Sequence, residues 1–219
     1  MLILYLGLLI VPGVEAEDKL PAASSDGLRL ISQDGFAAVY ASDGADFSNY
    51  DAVALLDCTV EFRKNWQRDQ NEEIPFSVKD EDIARIKKDL ADEFKKVFSQ
   101  ELSAKGEKVV TEAGKNVLVL RPAIVNLDIS VPDAMEKIDV RTLTASAGQM
   151  TLYLEMYDSI SDKLLARVID PEQSRDFGNF TVRNEATNLA DADRILKTWS
   201  DTLGSFLTKA RNTLKQTPD

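Results

Sequence analysis

Gln149-Met-Thr-Leu-Tyr-Leu-Glu-Met-Tyr157 places Met150, Leu152, Leu154 and Met156 on one side of an extended chain and Thr151, Tyr153, Glu155 and Tyr157 on the other. That period-two alternation is the pattern of a strand with one buried face. The polar turn Asp158-Ser-Ile-Ser-Asp162 follows, then a second apolar run from Leu164 to Ile169. So short a connection predicts an antiparallel hairpin. A sheet that is apolar on one face needs a second layer to cover it.

Two amphipathic helices supply that layer. Between Lys79 and Lys105, the residues Ile83, Ile86, Leu90, Phe94, Val97, Phe98 and Leu102 recur at intervals of three and four, which draws one apolar stripe along a helix. Ser77 or Asp80 is the expected cap, and Gly106 the expected stop. The second helix is predicted from about Leu189 to Leu214, with Ile195, Leu196, Trp199, Leu203 and Leu207 on its stripe and Lys209 and Arg211 near the dipole's negative end. Further strands are read at Phe36–Tyr40, Ala52–Phe62, Lys108–Thr111 and Val117–Val131, the last two joined as a hairpin by the turn at Glu112–Lys115. The expected order is β-β-α-β-β-β-β-α. This is an α+β fold, one mostly antiparallel sheet with two amphipathic helices packed on one face, in a single domain over residues 28–219.

Ahead of that domain, Leu2 to Val11 is apolar and is followed by Pro12, Gly13 and Val14-Glu15-Ala16. This reads as a signal peptide over residues 1–16 cleaved after Ala16, although no Lys or Arg precedes the apolar run. The run is shorter than the roughly 20 residues a membrane helix needs, and no transmembrane span is expected in the mature chain. Residues 17–27, rich in Ala, Ser and Asp, read as a spacer. The expected location is periplasmic or secreted, the alternative being a protein tethered to the membrane by an uncleaved leader.

Composition narrows the chemistry. There is no histidine, which removes Ser-His-Asp and Cys-His machinery and every His metal site. The single cysteine, Cys58, excludes an internal disulfide and a thiolate zinc cluster, and its alternation with Val60 and Phe62 assigns it to the core. A net charge of -11 speaks against nucleic acid. The ten glycines form no phosphate cradle, and Asp80-Glu81-Asp82 is explained by the dipole of a helix first turn rather than by calcium. No cofactor and no metal are expected. The 37 acidic residues keep one enzymatic alternative open, a His-independent hydrolase using paired carboxylates.

Two segments are candidate binding surfaces. In Arg63-Lys64-Asn65-Trp66-Gln67-Arg68, the residues Arg63, Lys64, Trp66 and Arg68 combine charge with an aromatic ring, as recognition surfaces do; a Trp covering the sheet edge is the other reading. In the polar stretch 170–187, expected to be a loop, Arg175, Phe177 and Phe180 make a similar combination, with a simple surface connection as the alternative.

Asp46-Phe-Ser-Asn-Tyr50 before the Val53 strand, the Lys79 helix, Leu118–Leu127 with Asp128, Leu154-Glu-Met-Tyr-Asp158-Ser159 before Leu164-Leu-Ala166, and Trp199 together resemble the DUF 3313 family over about residues 27–212. That family comprises uncharacterised bacterial envelope proteins, often lipoproteins, so the resemblance implies a location and no activity. No cysteine follows the apolar leader here, a departure from the lipoprotein pattern. The combined expectation is a non-catalytic binding or interaction domain of the envelope, an accessory of an envelope complex being one form. Its partner would be a protein or an envelope component.

Overall fold

The computed structural model describes residues 20–32, 35–73, 77–129, 147–173 and 185–213; the expected leader lies outside them. Among these residues, eight strands and three helices follow in the order β1 (Arg29–Ser32), β2 (Ala38–Ala41), β3 (Ala52–Leu55), β4 (Thr59–Phe62), α1 (Trp66–Glu73), α2 (Asp80–Ala104), β5 (Val109–Val110), β6 (Val117–Ile129), β7 (Ala147–Asp158), β8 (Leu164–Gln173) and α3 (Glu185–Thr213). The sheet order is β1-β2-β8-β7-β6-β3-β5, with β4 also on β6. The β6-β7-β8-β2-β1 part is antiparallel, while β3, β4 and β5 join in parallel. The class is α+β, and the β7–β8 hairpin forms as the alternation requires.

Both long helices cover one face. Phe94, Phe98 and Leu102 of α2 and Leu196, Trp199, Leu203 and Leu207 of α3 share one buried cluster with Leu118, Leu120 and Ile124 of β6, the even-numbered residues Met150–Met156 of β7, and Ala166 and Val168 of β8. Helix α2 stops where expected. Gly106 takes φ +87, and the Glu107 N–H donates to the Leu102 carbonyl at 2.9 Å, closing the last turn. At its start the cap is Lys79, neither Ser77 nor Asp80. Lys79 is extended, and its N–H donates to the Asp82 carboxylate at 3.1 Å.

Four expectations are corrected by pairing. The run Ala52–Phe62 is two strands. Leu56 N–H donates to the Leu120 carbonyl, so Leu120 turns its backbone towards β3, and Pro122, two residues on, turns the same way with no N–H to offer. The neighbouring strand breaks there and resumes as β4 opposite Ala123. The segment at residues 108–111 does not form a hairpin with β6: β5 lies on the far side of β3, parallel to it, after the long crossover that parallel strands require. Residues 20–27 are no free spacer, since Ala23 bridges Arg29 and Leu30 N–H donates to the Ala22 carbonyl at 3.0 Å, which holds this segment against β1, itself paired with β2. Strand β8 runs on to Gln173 and α3 begins at Glu185, so the two ends of the polar stretch expected to be a loop, residues 170–173 and 185–187, belong to a strand and a helix, while residues 174–184 lie outside the described residues.

Polar pins join the layers. Trp199 Nε1–H donates to Asp170 at 2.8 Å, and the other oxygen of Asp170 accepts the Ala37 N–H at 2.7 Å. Arg211 of α3 grips Glu107, just beyond α2, with two hydrogen bonds of 2.7 and 2.8 Å, and the Glu107 side chain is 2% exposed. Removing one member of a buried pair strands the other charge. Glu107→Ala is therefore expected to cost about 3 kcal/mol, read as a fall in the urea midpoint at constant slope. Asp92→Ala, which breaks the exposed Lys88–Asp92 pair, is expected to change stability by less than about 0.5 kcal/mol.

Candidate functional site

The odd-numbered residues of β7 point away from the helices. Opposite Glu155 stand Arg121 of β6 and Arg167 of β8. Glu155 accepts hydrogen bonds from Arg121 Nε at 3.0 Å, from Arg167 at 2.7 Å and from the Tyr157 hydroxyl at 2.8 Å. Arg167 also reaches Asp26, at the tip of the N-terminal turn, at 3.0 and 2.5 Å. The guanidinium of Arg121 lies 4.8 Å from the centre of the Tyr157 ring, and that of Arg167 lies 5.2 Å from Tyr153. Glu155 and Arg167 are buried beneath this layer, Tyr153 and Tyr157 are half-buried, and the side chain of Arg121 is 57% exposed. Val119, Ala123 and Val125 extend the same half-buried surface along β6.

Its electrostatics favour fixed charge over proton transfer. Burial pushes the Glu155 carboxyl up, but hydrogen bonds from Arg167, Arg121 and Tyr157 outweigh it and leave the group below its ordinary 4.5. The hydrogen bonds from Arg167 and then Ser24 hold Asp26 well below the carboxylate range. Tyr153 and Tyr157 are raised, chiefly by burial. Among the described residues, every carboxyl with a resolved shift moves down, whereas a general acid near neutral pH must move up.

The sequence candidates meet different environments. Trp66 is 1% exposed, stacks on Phe62 with 4.0 Å between ring centres and donates Nε1–H to the Ile129 carbonyl at 2.8 Å. Its ring therefore fills the core and offers no surface to a partner. Arg63 is spent on Asp128 and Asp69, Arg68 pairs with Asp69 and Glu72, and Lys64 is exposed; the segment containing Arg68 forms the unexpected helix α1. Arg175, Phe177 and Phe180 lie outside the described residues. Cys58 is buried, and burial pushes its thiol up to about 12, which suits a packing residue. No three-residue group of metal-ligating side chains occurs among the described residues. No described helix is long and apolar enough to cross a membrane.

A model of the family described as "Protein of unknown function (DUF3313)" matches residues 22–203. The chain belongs to that family. The DUF3313 stretches quoted from the sequence meet in space as structural anchors. The Tyr50 hydroxyl donates to Asp158 at 2.8 Å, Asp46 accepts the Ser48 N–H at 2.8 Å, Ser159 contacts the backbone of Gly114, and Trp199 holds Asp170. Asp158 also accepts from the Ser161 side chain and backbone, and these contacts with that of Tyr50 bring its carboxyl to about 2. No curated protein sequence matches the chain. Two solved structures similar to it are PelC dodecamers from Paraburkholderia phytofirmans. One is a point variant, at 10% identity and TM-score 0.37 over 74% of this chain and 97% of that one; the other is at 7% identity and TM-score 0.35 over 73% and 96%.

Glu155 ties the outer face together, so its loss has a pH signature. A carboxyl lowered on folding takes up its proton first in the unfolded chain; the stability it contributes is complete above about pH 4.5 and is lost as pH falls through the folded value. Glu155→Gln is expected to cost about 2 kcal/mol at pH 7 and to flatten the decline of stability below pH 4.5, measured by urea unfolding from pH 7 to pH 2. An unchanged acid limb would remove Glu155 from this role.

Proposed function

We propose that this protein is an exported, non-catalytic interaction domain of the bacterial envelope and that it meets a protein partner through the outer face of its sheet. The observation that carries this reading is a sheet face left bare by both long helices and paved at its centre with Tyr153, Tyr157 and Arg121 over half-buried Val119, Ala123 and Val125. Tyr and Arg are the residue types that anchor protein interfaces, because each brings a large apolar area together with fixed hydrogen-bonding groups. The charges beneath them are already mutually compensated, so a partner that covers this face finds two carboxylates and two guanidinium groups already paired.

Export is supported by the apolar run Leu2–Val11 and the small residue Ala16 at the expected cleavage point. The non-catalytic part is supported by the absence of histidine and by the downward shifts of the carboxyls, which work against the paired-carboxylate hydrolase.

The test is site-specific photocrosslinking in the native bacterium, with the crosslinker at Val125 or Tyr157 and, as control, at Lys88 on the exposed side of α2. A discrete envelope-protein adduct is expected from Val125 and Tyr157 and not from Lys88, on mature chains beginning at Glu17. Equal labelling from all three positions, or an intact Met1 with cytoplasmic partners, would sink the proposal.

A further inference from the structure

At one end of the sheet β1 is closed off, because Ala23 bridges Arg29 and the Ala22 carbonyl accepts the Leu30 N–H. At the other end β5 has β3 on one side and no strand on its other side among the described residues. The Lys108 carbonyl accepts the Val53 N–H at 2.9 Å, so Lys108 and, two residues on, Val110 turn their backbone towards β3. Successive residues of a strand face opposite ways, hence Val109 presents its N–H and C=O to the open side. An unpaired donor and acceptor at the margin of a sheet are a template for a further strand.

Charge decides which strand fits. Lysine at a bare edge commonly wards off a further strand, and Lys108 and Lys115 stand here. They do not stand alone: Asp51 and Glu112 line the same cleft of about 430 Å³, and none of the four forms an ion pair among the described residues. Lys87, Lys88, Lys95 and Lys96 of α2, by contrast, each hold a carboxylate. Two free cations and two free carboxylates make a neutral patch on a chain whose net charge of -11 otherwise repels a second copy. Such a patch is complementary to itself, as a two-fold interface requires, because the same residues meet there from both sides.

Register sharpens the match. Antiparallel pairing of β5 with its own copy about a two-fold axis at Val110 sets Val109 opposite Thr111 and brings Lys108 of each copy to Glu112 of the other. The two Val110 side chains then meet on the axis. Val110 packs with Ala52, Ala54, Val117 and Val119 in a small apolar cluster, and Ala52 and Val117 also line the cleft, so the axis joins two such clusters into one. The chain bends at Thr111, which keeps the backbone contact short and leaves specificity to the charges.

We propose that two copies of this chain pair through their β5 edges, with Val110 on the axis and Lys108 of each copy against Glu112 of the other. Strands β6 and β7 lie two and three strands in from that edge, so Arg121, Tyr153 and Tyr157 stay open to the partner proposed above, and either assignment can fail without the other.

The experiment is sedimentation velocity of the full chain at increasing concentration, beside Lys108→Glu, Glu112→Lys and an equal mixture of the two variants. A monomer–dimer equilibrium is expected for the unaltered chain. Each reversal sets like charges across the axis and is expected to raise the dimer dissociation constant by about tenfold or more, with unchanged thermal unfolding because both side chains are exposed. A mixed dimer restores both opposite-charge pairs, and the mixture is expected to regain the affinity of the unaltered chain. A chain that stays monomeric at every concentration would leave the edge to an extended segment of another protein and overturn the assignment. So would a dimer that neither reversal weakens, or a mixture no tighter than its components.

Discussion

Strand β7 stands at the middle of the sheet and has to satisfy two environments at once. Its even-numbered side chains, from Met150 to Met156, are sealed under α2 and α3, while its odd-numbered ones lie on the opposite face of the sheet from both. An acidic residue in the middle of such a strand is tolerable only if its neighbours neutralise it, because an unpaired buried carboxylate is costly. Arg121 and Arg167 arrive from the strands on either side, directly opposite Glu155, and Asp26 then completes the charge of Arg167. The N-terminal turn, the flanking strands and the two tyrosines are all arranged around that one carboxylate.

The same economy governs the helix side. Each long helix is fixed by an apolar stripe, and α3 carries two polar pins as well: Asp170 of β8 accepts the indole N–H of Trp199 at mid-helix, and Glu107, just beyond α2, takes the guanidinium of Arg211 near the end of α3. Apolar burial supplies most of the stabilisation but is indifferent to small shifts of register, whereas these pins allow a single geometry. The DUF3313 stretches fall largely on such pins and on turn-closing residues, Tyr50 with Asp158 among them. A family signature built of this kind describes an architecture more than a chemistry.

For function, the electrostatic pattern is the useful quantity. The shifted carboxyls are stabilised in their charged form by cations, hydroxyls and backbone N–H groups, so they act as fixed charges. The tyrosine-paved outer face keeps half-buried apolar area beside charges that are already paired with one another.

Local periodicity in the sequence determined the β7–β8 hairpin, the two long helices, the inward stripe of each, the stop at Gly106 and the burial of Cys58, because each depends on residues within a few positions of one another. The inventory of side chains, above all the absent histidine, removed whole classes of chemistry without reference to fold. Pairing partners were decided only by tertiary structure. Pro122 is plain in the sequence, but it breaks the strand beside it rather than its own, and β5 crosses to the far side of β3 where proximity in the chain suggested a hairpin with β6. Trp66 beside Arg63 and Arg68 reads as a recognition surface or as a cover for the sheet edge until Ile129, 63 positions away, supplies the carbonyl that accepts its indole N–H. The outer-face cluster was invisible for the same reason: Asp26, Arg121, Glu155 and Arg167 share no local pattern, and only the alignment of three strands and a turn makes them one site.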